Sequence, residues 1–366
     1  MRRNIVFLAL ILFQTYLIFS IEIKKVEKII LRQKNNDLIA IPFSFFVTEK
    51  DYIYVLDKKL ANIQIFDKNG KRVKVFGRKG AGPNEFLNPI ACSNYKNLIM
   101  IYDFKRSAIF FYKTDKYHNF IFVKKNRFSG LSMDFKFLNE NLLLVAGMDF
   151  DVANVKTKKS YNLYTHNIKE QKNNYLLSSA ECFGVDDQDE AGEVFVKKIV
   201  YFATNGYSDY TKKYFYFTHS VNLRLVRMDR VTGKTIVFGE KTSNYVQPEV
   251  TVELKKAVKK RKQYLSNEIE KKMSIVKKII CFGKRTIGVI YTKYNEKTDT
   301  QDLVVQVYDD NGTFLKEMVL MKTKTEFITG ILMYYRKIDN ILYVLETVSI
   351  GDSDMGFEIH KFKVIE

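Results

Sequence analysis

Short runs of alternating apolar and polar residues dominate this chain, and few stretches have the three-to-four-residue spacing of a helix. Period-two alternation in runs of four to eight residues predicts β-strands. Tyr52-Ile53-Tyr54-Val55-Leu56-Asp57 is one such run, and Leu98-Ile99-Met100-Ile101-Tyr102-Asp103 repeats it, both ending in Asp. With the same offset Ile63 meets Ile109, Ile65 meets Phe111 and Phe66 meets Tyr112. Further on, Ile63-Gln64-Ile65-Phe66-Asp67-Lys68-Asn69-Gly70 matches Val305-Gln306-Val307-Tyr308-Asp309-Asp310-Asn311-Gly312 almost position for position. Each is a strand running into Asn-Gly, a pair that tolerates positive φ and marks a tight hairpin. Between them, Asn222–Asp229 leads through Gly233 into Thr235-Ile236-Val237-Phe238-Gly239, echoing Val73-Lys74-Val75-Phe76-Gly77.

The connection after the first repeat is Phe76-Gly77-Arg78-Lys79-Gly80-Ala81-Gly82-Pro83-Asn84-Glu85-Phe86-Leu87-Asn88-Pro89. It concentrates glycine and proline in a chain with only 17 Gly and 4 Pro, so it reads as a shaped link between strands. Gly77, Gly80, Gly82, Pro83, Glu85 and Phe86 are its structural motif. With the preceding strand pair it resembles the NHL-type repeat of β-propellers, in particular the six-bladed NHL-like propellers of bacterial envelopes. The resemblance is best over residues 43–112, recognisable at 222–239 and 303–316, and implies an all-β, six-bladed β-propeller. A repeat period in the forties with several strands per unit agrees with that architecture.

The expected blades run from Phe43 to Phe76 and from Ile90 to Val123. A third starts near Met133 and includes Leu142–Val145 and Tyr161–Tyr164. A fourth includes Val200–Ala203, Tyr214–Thr218, Leu223–Met228 and Thr235–Phe238. A fifth includes Val276–Phe282, Ile287–Tyr291, Leu303–Tyr308 and Phe314–Leu320. The last has only Ile328–Tyr335, Ile341–Thr347 and Phe357–Val364, one strand short. Ile21–Leu31 is an orphan strand before the first blade and is expected to complete it, closing the ring. Two segments interrupt the pattern. Cys182–Glu193 is acidic. Around 249–273, Leu254, Val258, Leu265 and Ile269 recur at helical spacing, predicting an amphipathic helical insertion. Its basic side carries Lys255, Lys259, Lys260, Arg261 and Lys262, a candidate surface for an anionic partner.

The N-terminus stands apart from these repeats. Arg2 and Arg3 precede an apolar run from Ile5 to Phe19, so residues 1–20 read as a signal peptide and residues 21–366 as the propeller. The expected location is periplasmic or extracellular, with an uncleaved membrane anchor as the alternative. Three cysteines, Cys92, Cys182 and Cys281, make no disulfide framework. A net charge of +19 reads first as lysine spread over solvated faces, with attraction to anionic surfaces or polymers as the alternative. Aromatic residues make up 14% of the chain, without tryptophan, and favour strands.

Catalytic motifs are absent. The glycine run lacks the Gly-Lys-Ser/Thr ending of a phosphate loop, and neither Gly-x-Ser-x-Gly nor His-Glu-x-x-His occurs. Some NHL-like lyases gather histidines from several blades around a metal; here the candidates are His118, His166, His219 and His360. Lactonase-like propellers place carboxylates around calcium, but Asp57 and Asp103 recur at equivalent positions, which favours turn architecture. No cofactor is expected, with calcium in the acidic segment as the alternative. There, counting Asp187 as position one of a calcium loop puts Ala191 and Lys198 where ligands are needed. The expectation is an exported binding or scaffold propeller for a protein, glycan or peptide, without evident catalysis. The alternatives are a metal-dependent hydrolase or lyase with an axial site, and a peripheral binder of anionic membrane or polymer. Nucleic acid is not an expected partner.

Overall fold

In a computed structural model of the protein, residues 21–32, 39–128, 130–149, 161–183, 206–220, 222–239, 245–246, 252, 273–323, 331–350 and 354–365 are described. They form six four-stranded antiparallel sheets and one two-stranded ribbon. Blade 1 is Pro42–Val47, Ile53–Asp57, Asn62–Phe66 and Arg72–Phe76; blade 2 is Pro89–Tyr95, Leu98–Asp103, Ala108–Thr114 and Phe120–Arg127. Blade 3 is Leu131–Asn139, Leu142–Met148, Tyr161–Asn167 and Lys172–Ser178; blade 4 is Gly206–Tyr210, Tyr214–His219, Asn222–Asp229 and Thr235–Phe238. Blade 5 is Ile275–Phe282, Thr286–Asn295, Thr300–Asp309 and Phe314–Thr323. Blade 6 has Ile331–Arg336, Ile341–Ile350 and Asp354–Ile365, and Glu22–Ile30 as its outer strand.

The first strand of each blade contacts the first strands of both neighbours, and the sequence of contacts closes a ring. The core lies between blades. Leu56 and Ile63 of blade 1 pack with Ile99 and Ile101 of blade 2. Tyr102 and Phe111 meet Phe135 and Val145 across the next interface, and Leu144 and Leu163 meet Phe217 and Val226 across the third. Tyr216 and Leu225 pack with Val289 and Val304, Ile290 and Val305 with Leu342 and Val344, and Leu345 and Ile359 with Val55 and Phe66. Middle strands therefore bury both faces, as Ile53–Asp57 does at every position, whereas the outer strand Arg72–Phe76 alternates.

Glu22–Ile30 pairs antiparallel with the last strand, from Glu22 opposite Ile365 to Ile30 opposite Glu358, with a bulge between Lys25 and Glu27. Buried Ile21, Ile29 and Leu31 anchor it. Lys28–Glu358 at 3.0 Å and Lys361–Glu27 at 2.6 Å add exposed ion pairs, of small energetic weight. The chain ends thus close the ring, as the missing strand of the last blade required.

Aspartates tie the repeats together. Asp103, at the end of its strand, accepts the Leu87 and Asn88 N–H groups at 2.7 and 3.0 Å, fastening the incoming inter-blade connection. Asp57 does the same for the Ile41 N–H at 3.4 Å and also accepts the Lys59 and Leu60 N–H groups of the turn that follows it, both at 2.9 Å. One strand later, Asp67, Asp115, Asp229 and Asp309 each accept two N–H groups of the following turn, and Asn167 does so in blade 3. These side chains act as turn acceptors, each drawing a hairpin tight.

The details depart from the sequence expectation in two places. The inner strand of blade 4 is Gly206–Tyr210, while the expected Val200–Ala203 lies outside the described residues. Blade 3 also has an outer strand, Lys172–Ser178, hidden in sequence by its polar composition. The predicted helix around 249–273, with Lys255, Lys259, Lys260, Arg261 and Lys262, falls outside the described residues. So does most of the acidic segment, whose start instead closes a short helix, Ser179–Phe183, with Cys182 buried. Among the described residues no helix is long and apolar enough to cross a membrane.

Candidate functional site

All six blades are built by the same meander, so their inner strands run in one direction along the central axis and end on one face. At those ends lie Tyr95, Phe137, Tyr210 and Arg336, from blades 2, 3, 4 and 6. Tyr210 donates its hydroxyl to the Phe137 carbonyl at 2.8 Å, and the Phe137 and Tyr95 ring centroids are 6.0 Å apart. Lys337, just past the inner strand of blade 6, sits with Nζ 4.1 Å from the Tyr210 ring centroid and donates to the Tyr210 carbonyl at 2.7 Å. Blades 4 and 6 are not neighbours in the ring. Their contact therefore spans the channel, and these residues form its mouth.

Below the mouth, two buried aspartates collect lysines from across the axis. Asp209 Oδ1 takes Lys337 Nζ at 2.8 Å and Lys136 Nζ at 3.4 Å. The same carboxylate accepts the Tyr210 N–H at 2.9 Å on Oδ1 and the Cys281 N–H at 2.7 Å on Oδ2. Asp134 Oδ1 takes Lys278 Nζ at 2.8 Å, and Oδ2 accepts the Ser208 N–H at 2.7 Å and hydroxyl at 2.9 Å. Lys136 also donates to the Ser208 carbonyl. The lysines are graded in depth: the Lys337 side chain is 42% exposed, Lys136 19% and Lys278 16%.

Electrostatics follow from this geometry. Burial opposes the charge on Asp209, but Lys136, Lys337 and the Cys281 N–H overcome it and hold its carboxyl far below the ordinary range. Burial likewise opposes ionisation of Asp134, and Lys278 and Lys136 hold it below its usual value. Burial is the largest effect on Lys136 and leaves its ammonium below the usual lysine value, with Asp209 and Asp134 countering. For Lys337 burial again works against the charge, yet Asp209 raises it above normal. Both aspartates are consequently ionised and both have partners on each oxygen. Within this cluster three ammonium groups face two carboxylates, so its spare hydrogen-bonding capacity is N–H on cations. At the rim, Arg336 is held by Asp51 at 2.8 Å and by Asp339, which balances the mouth as a whole.

A groove of about 730 Å³ opens on the same face between blades 2 and 3. It is bounded by Tyr95–Leu98 and 139–142, the first hairpins of those blades, with Lys113 and Asn167 behind. Its lining is amide-rich, and Tyr95 belongs to both groove and mouth.

The connection carrying Gly77 to Phe86 lies on the opposite course, between the outer strand of blade 1 and the inner strand of blade 2. Phe86 is fully buried between the two blades. Glu85 accepts the Gly82 N–H at 2.7 Å and the Arg78 guanidinium at 2.7 Å; the Gly82 N–H first, and Arg78 next, hold its carboxyl below the ordinary value. Gly80 donates to the Phe86 carbonyl at 3.1 Å, and Pro83 is exposed beside Asn84, which takes φ 57°. Conformational demand falls on Gly77: its φ is 86°, and a Cβ there would stand 2.7 Å from the Phe86 ring. At Gly82 a Cβ would meet the Glu85 carboxylate at 2.9 Å, a mobile side-chain end rather than backbone.

The histidines do not gather on the axis. His118 Nδ1 lies 2.6 Å from the Tyr54 hydroxyl, His166 lies between Asn126 and Asn173, and His360 Nε2 is 2.9 Å from Glu346. His219 ends a strand of blade 4. Among the described residues no group of three or more His, Cys, Asp and Glu is arranged to hold a metal ion. The axial lysines escaped the sequence reading because they are scattered over three repeats. The available signal was charge inside otherwise apolar inner strands, as in Phe135-Lys136-Phe137 and Val276–Phe282.

The model of the family DUF5128, described as a 6-bladed beta-propeller, matches residues 17–309. The chain belongs to that family. A crystal structure of a DUF4221 family member from Bacteroides vulgatus superposes with a TM-score of 0.62 at 10% identity, covering 94% of this chain and 99% of that one. A protein described as exported, from Bacteroides fragilis, gives a TM-score of 0.55 at 12% identity, with 94% and 96% covered. Virginiamycin B lyase from Staphylococcus aureus gives 0.45 at 7% identity, with 94% and 100% covered. At these identities the likeness concerns the fold. Among curated proteins nothing matches.

Proposed function

We propose that this protein is an exported, non-catalytic binding propeller whose ligand seats over the channel mouth formed by Tyr95, Tyr210 and Lys337. The observation that carries this reading is the saturation of the axial carboxylates. Asp134 and Asp209 accept from lysines and backbone on both oxygens. Neither is free as a general base, and ammonium groups take the places where an axial calcium would need carboxylate oxygen. What the mouth offers a ligand is donors, aromatic surface and a groove, the equipment of recognition. Export is supported by the basic and apolar residues 1–20 and by the exported description of the Bacteroides fragilis neighbour.

A panel of oligosaccharides and short peptides, followed by thermal shift with and without EDTA, tests the reading. Recovered ligand is then checked by mass spectrometry. The expected result is a raised melting temperature from one ligand class, unchanged by chelator, with the ligand intact. Chelator-sensitive turnover of a lactone or ester would overturn the reading in favour of a metal-dependent hydrolase or lyase.

A further inference from the structure

We infer that the channel mouth and the adjoining groove together bind an acidic oligosaccharide, its anionic group on the axial lysines and its sugar rings along the groove. The inference rests on the binding reading above and specifies its ligand. Three features of one face carry it.

The first is the charge. Lys136, Lys278 and Lys337 converge from blades 3, 5 and 6 on two aspartates whose oxygens are already engaged. A group entering from the mouth meets ammonium N–H at Lys337, while the rim carboxylates Asp51 and Asp339 are engaged by Arg336. Lys337, the most exposed, is met first. The site is preorganised, because Asp134 and Asp209 hold the lysines in place before any ligand arrives, so little side-chain entropy remains to be lost. A lysine is a compact point charge and does not distinguish planar from tetrahedral anions, so carboxylate and sulfate are both accommodated.

The second feature is continuity. The path from Lys337 to the Tyr210 ring, from Tyr210 to Phe137, and from Phe137 to Tyr95 consists of direct contacts. Tyr95 then opens into the groove of about 730 Å³. Phe137 in this path is buried, so the anion site and the groove are neighbouring features of one face joined through packed contacts, and a ligand of more than one ring would reach both across that face.

The third is the lining. Asn97, Asn139, Asn141 and Asn167 border the groove, with Lys96 and Lys113 beside them and one carboxylate, Glu140, so its two lysines outnumber its one acid. Asn139 and Asn167 hold their Oδ1 atoms in turns, accepting N–H groups of residues 141, 169 and 170. Their amide NH₂ groups remain as donors for hydroxyl oxygen. Tyr95 is half-buried with Lys96 Nζ 5.5 Å from its ring centroid, so a sugar ring would meet the aromatic edge and the Lys96 ammonium together. A peptide would call instead for apolar side-chain pockets or an open strand edge, and hairpin tips provide neither.

The test is isothermal titration of the purified protein with trigalacturonate (carboxylate), a sulfated neutral trisaccharide (sulfate), cellotriose (neutral) and inorganic phosphate. Either or both acidic trisaccharides should bind at least tenfold more tightly than cellotriose and more tightly than phosphate, and binding should weaken as salt rises. Which acidic arm binds better identifies the anion. Lys337→Gln and, separately, Lys113→Gln on the groove wall should each weaken binding about tenfold, roughly one charged hydrogen bond. Lys113 is exposed and its variant should melt as the parent does. Lys337→Gln leaves Asp209 with Lys136 and the Cys281 N–H, so it should stay folded with a lowered melting temperature, which circular dichroism of the free variant verifies. Equal affinity for cellotriose, or acidic binding untouched by both variants, would overturn the inference while leaving a binding propeller in place. A peptide competing at Tyr95 would do the same. Failure of the parent reading has a different signature, chelator-sensitive turnover.

Discussion

Replacing Asp209 by alanine tests the axial network most directly. The substitution removes the acceptor of the Cys281 and Tyr210 N–H groups and the counterion of Lys136 and Lys337. Lys337 can turn to solvent, because its side chain is 42% exposed. Lys136, at 19%, lies deeper in the channel, where it also donates to the Ser208 carbonyl. Breaking a buried pair by removing one partner costs about 3–5 kcal/mol, because Lys136 loses its stronger counterion and keeps only the attraction of Asp134. For a domain of this size that corresponds to a melting temperature lower by about 4–7 °C. Circular dichroism melts and urea unfolding measure both quantities. The double variant Asp209→Ala, Lys136→Met removes both charges while keeping the aliphatic stem, and should recover much of the loss. A single variant within about 1 kcal/mol of the parent protein would refute the argument, since that is the scale of an exposed pair. So would a double variant destabilised by the full sum of the two single changes.

Acid should act through the same two groups. Asp134 and Asp209 titrate below their ordinary values in the fold, so the folded chain binds fewer protons than the unfolded one. Their stabilisation is complete above about pH 4, the unfolded carboxyl value, and is lost as pH falls below it; a urea midpoint that stays flat from neutrality to pH 3 would contradict this. Gly77→Val should destabilise by about 1–3 kcal/mol through its φ and its approach to Phe86, whereas Gly82→Val should cost less, and urea unfolding that reverses this order would show the connection to be misread. Asp103→Ala should cost about 2–3 kcal/mol by orphaning two connection N–H groups, read from the same curves; a change under 0.5 kcal/mol would deny it the fastening role. A chain lacking residues 21–31 should leave the edge of Asp354–Ile365 open and aggregate on size-exclusion chromatography, and a soluble truncation of equal stability would count against ring closure by this strand.

Blade architecture was legible because its causes are local. Alternation sets each strand's buried side, Asn-Gly sets a hairpin, and Asp57 and Asp103 repeat because blades 1 and 2 each fasten their incoming segment at the same corner. The missing strand of blade 6 and the orphan Ile21–Leu31 could be matched by counting, since an unpaired edge is a defect that any closed ring must remove. Weak local signals were the ones misread: polar Lys172–Ser178 hid a strand, and Gly206–Tyr210 lay in a break of the repeat. The axial site is a different case. Asp134, Lys136, Asp209, Lys278 and Lys337 belong to four blades, and nothing in their spacing relates them. Closing the ring brings non-adjacent blades within ion-pair distance, and low-dielectric surroundings then select which lysine meets which aspartate. The sequence alone determined the repeat, its turns and its closure, because each follows from short-range pattern. Only the tertiary structure decided that these five charges form one mouth, because their proximity is a property of the closed circle and not of any segment in it.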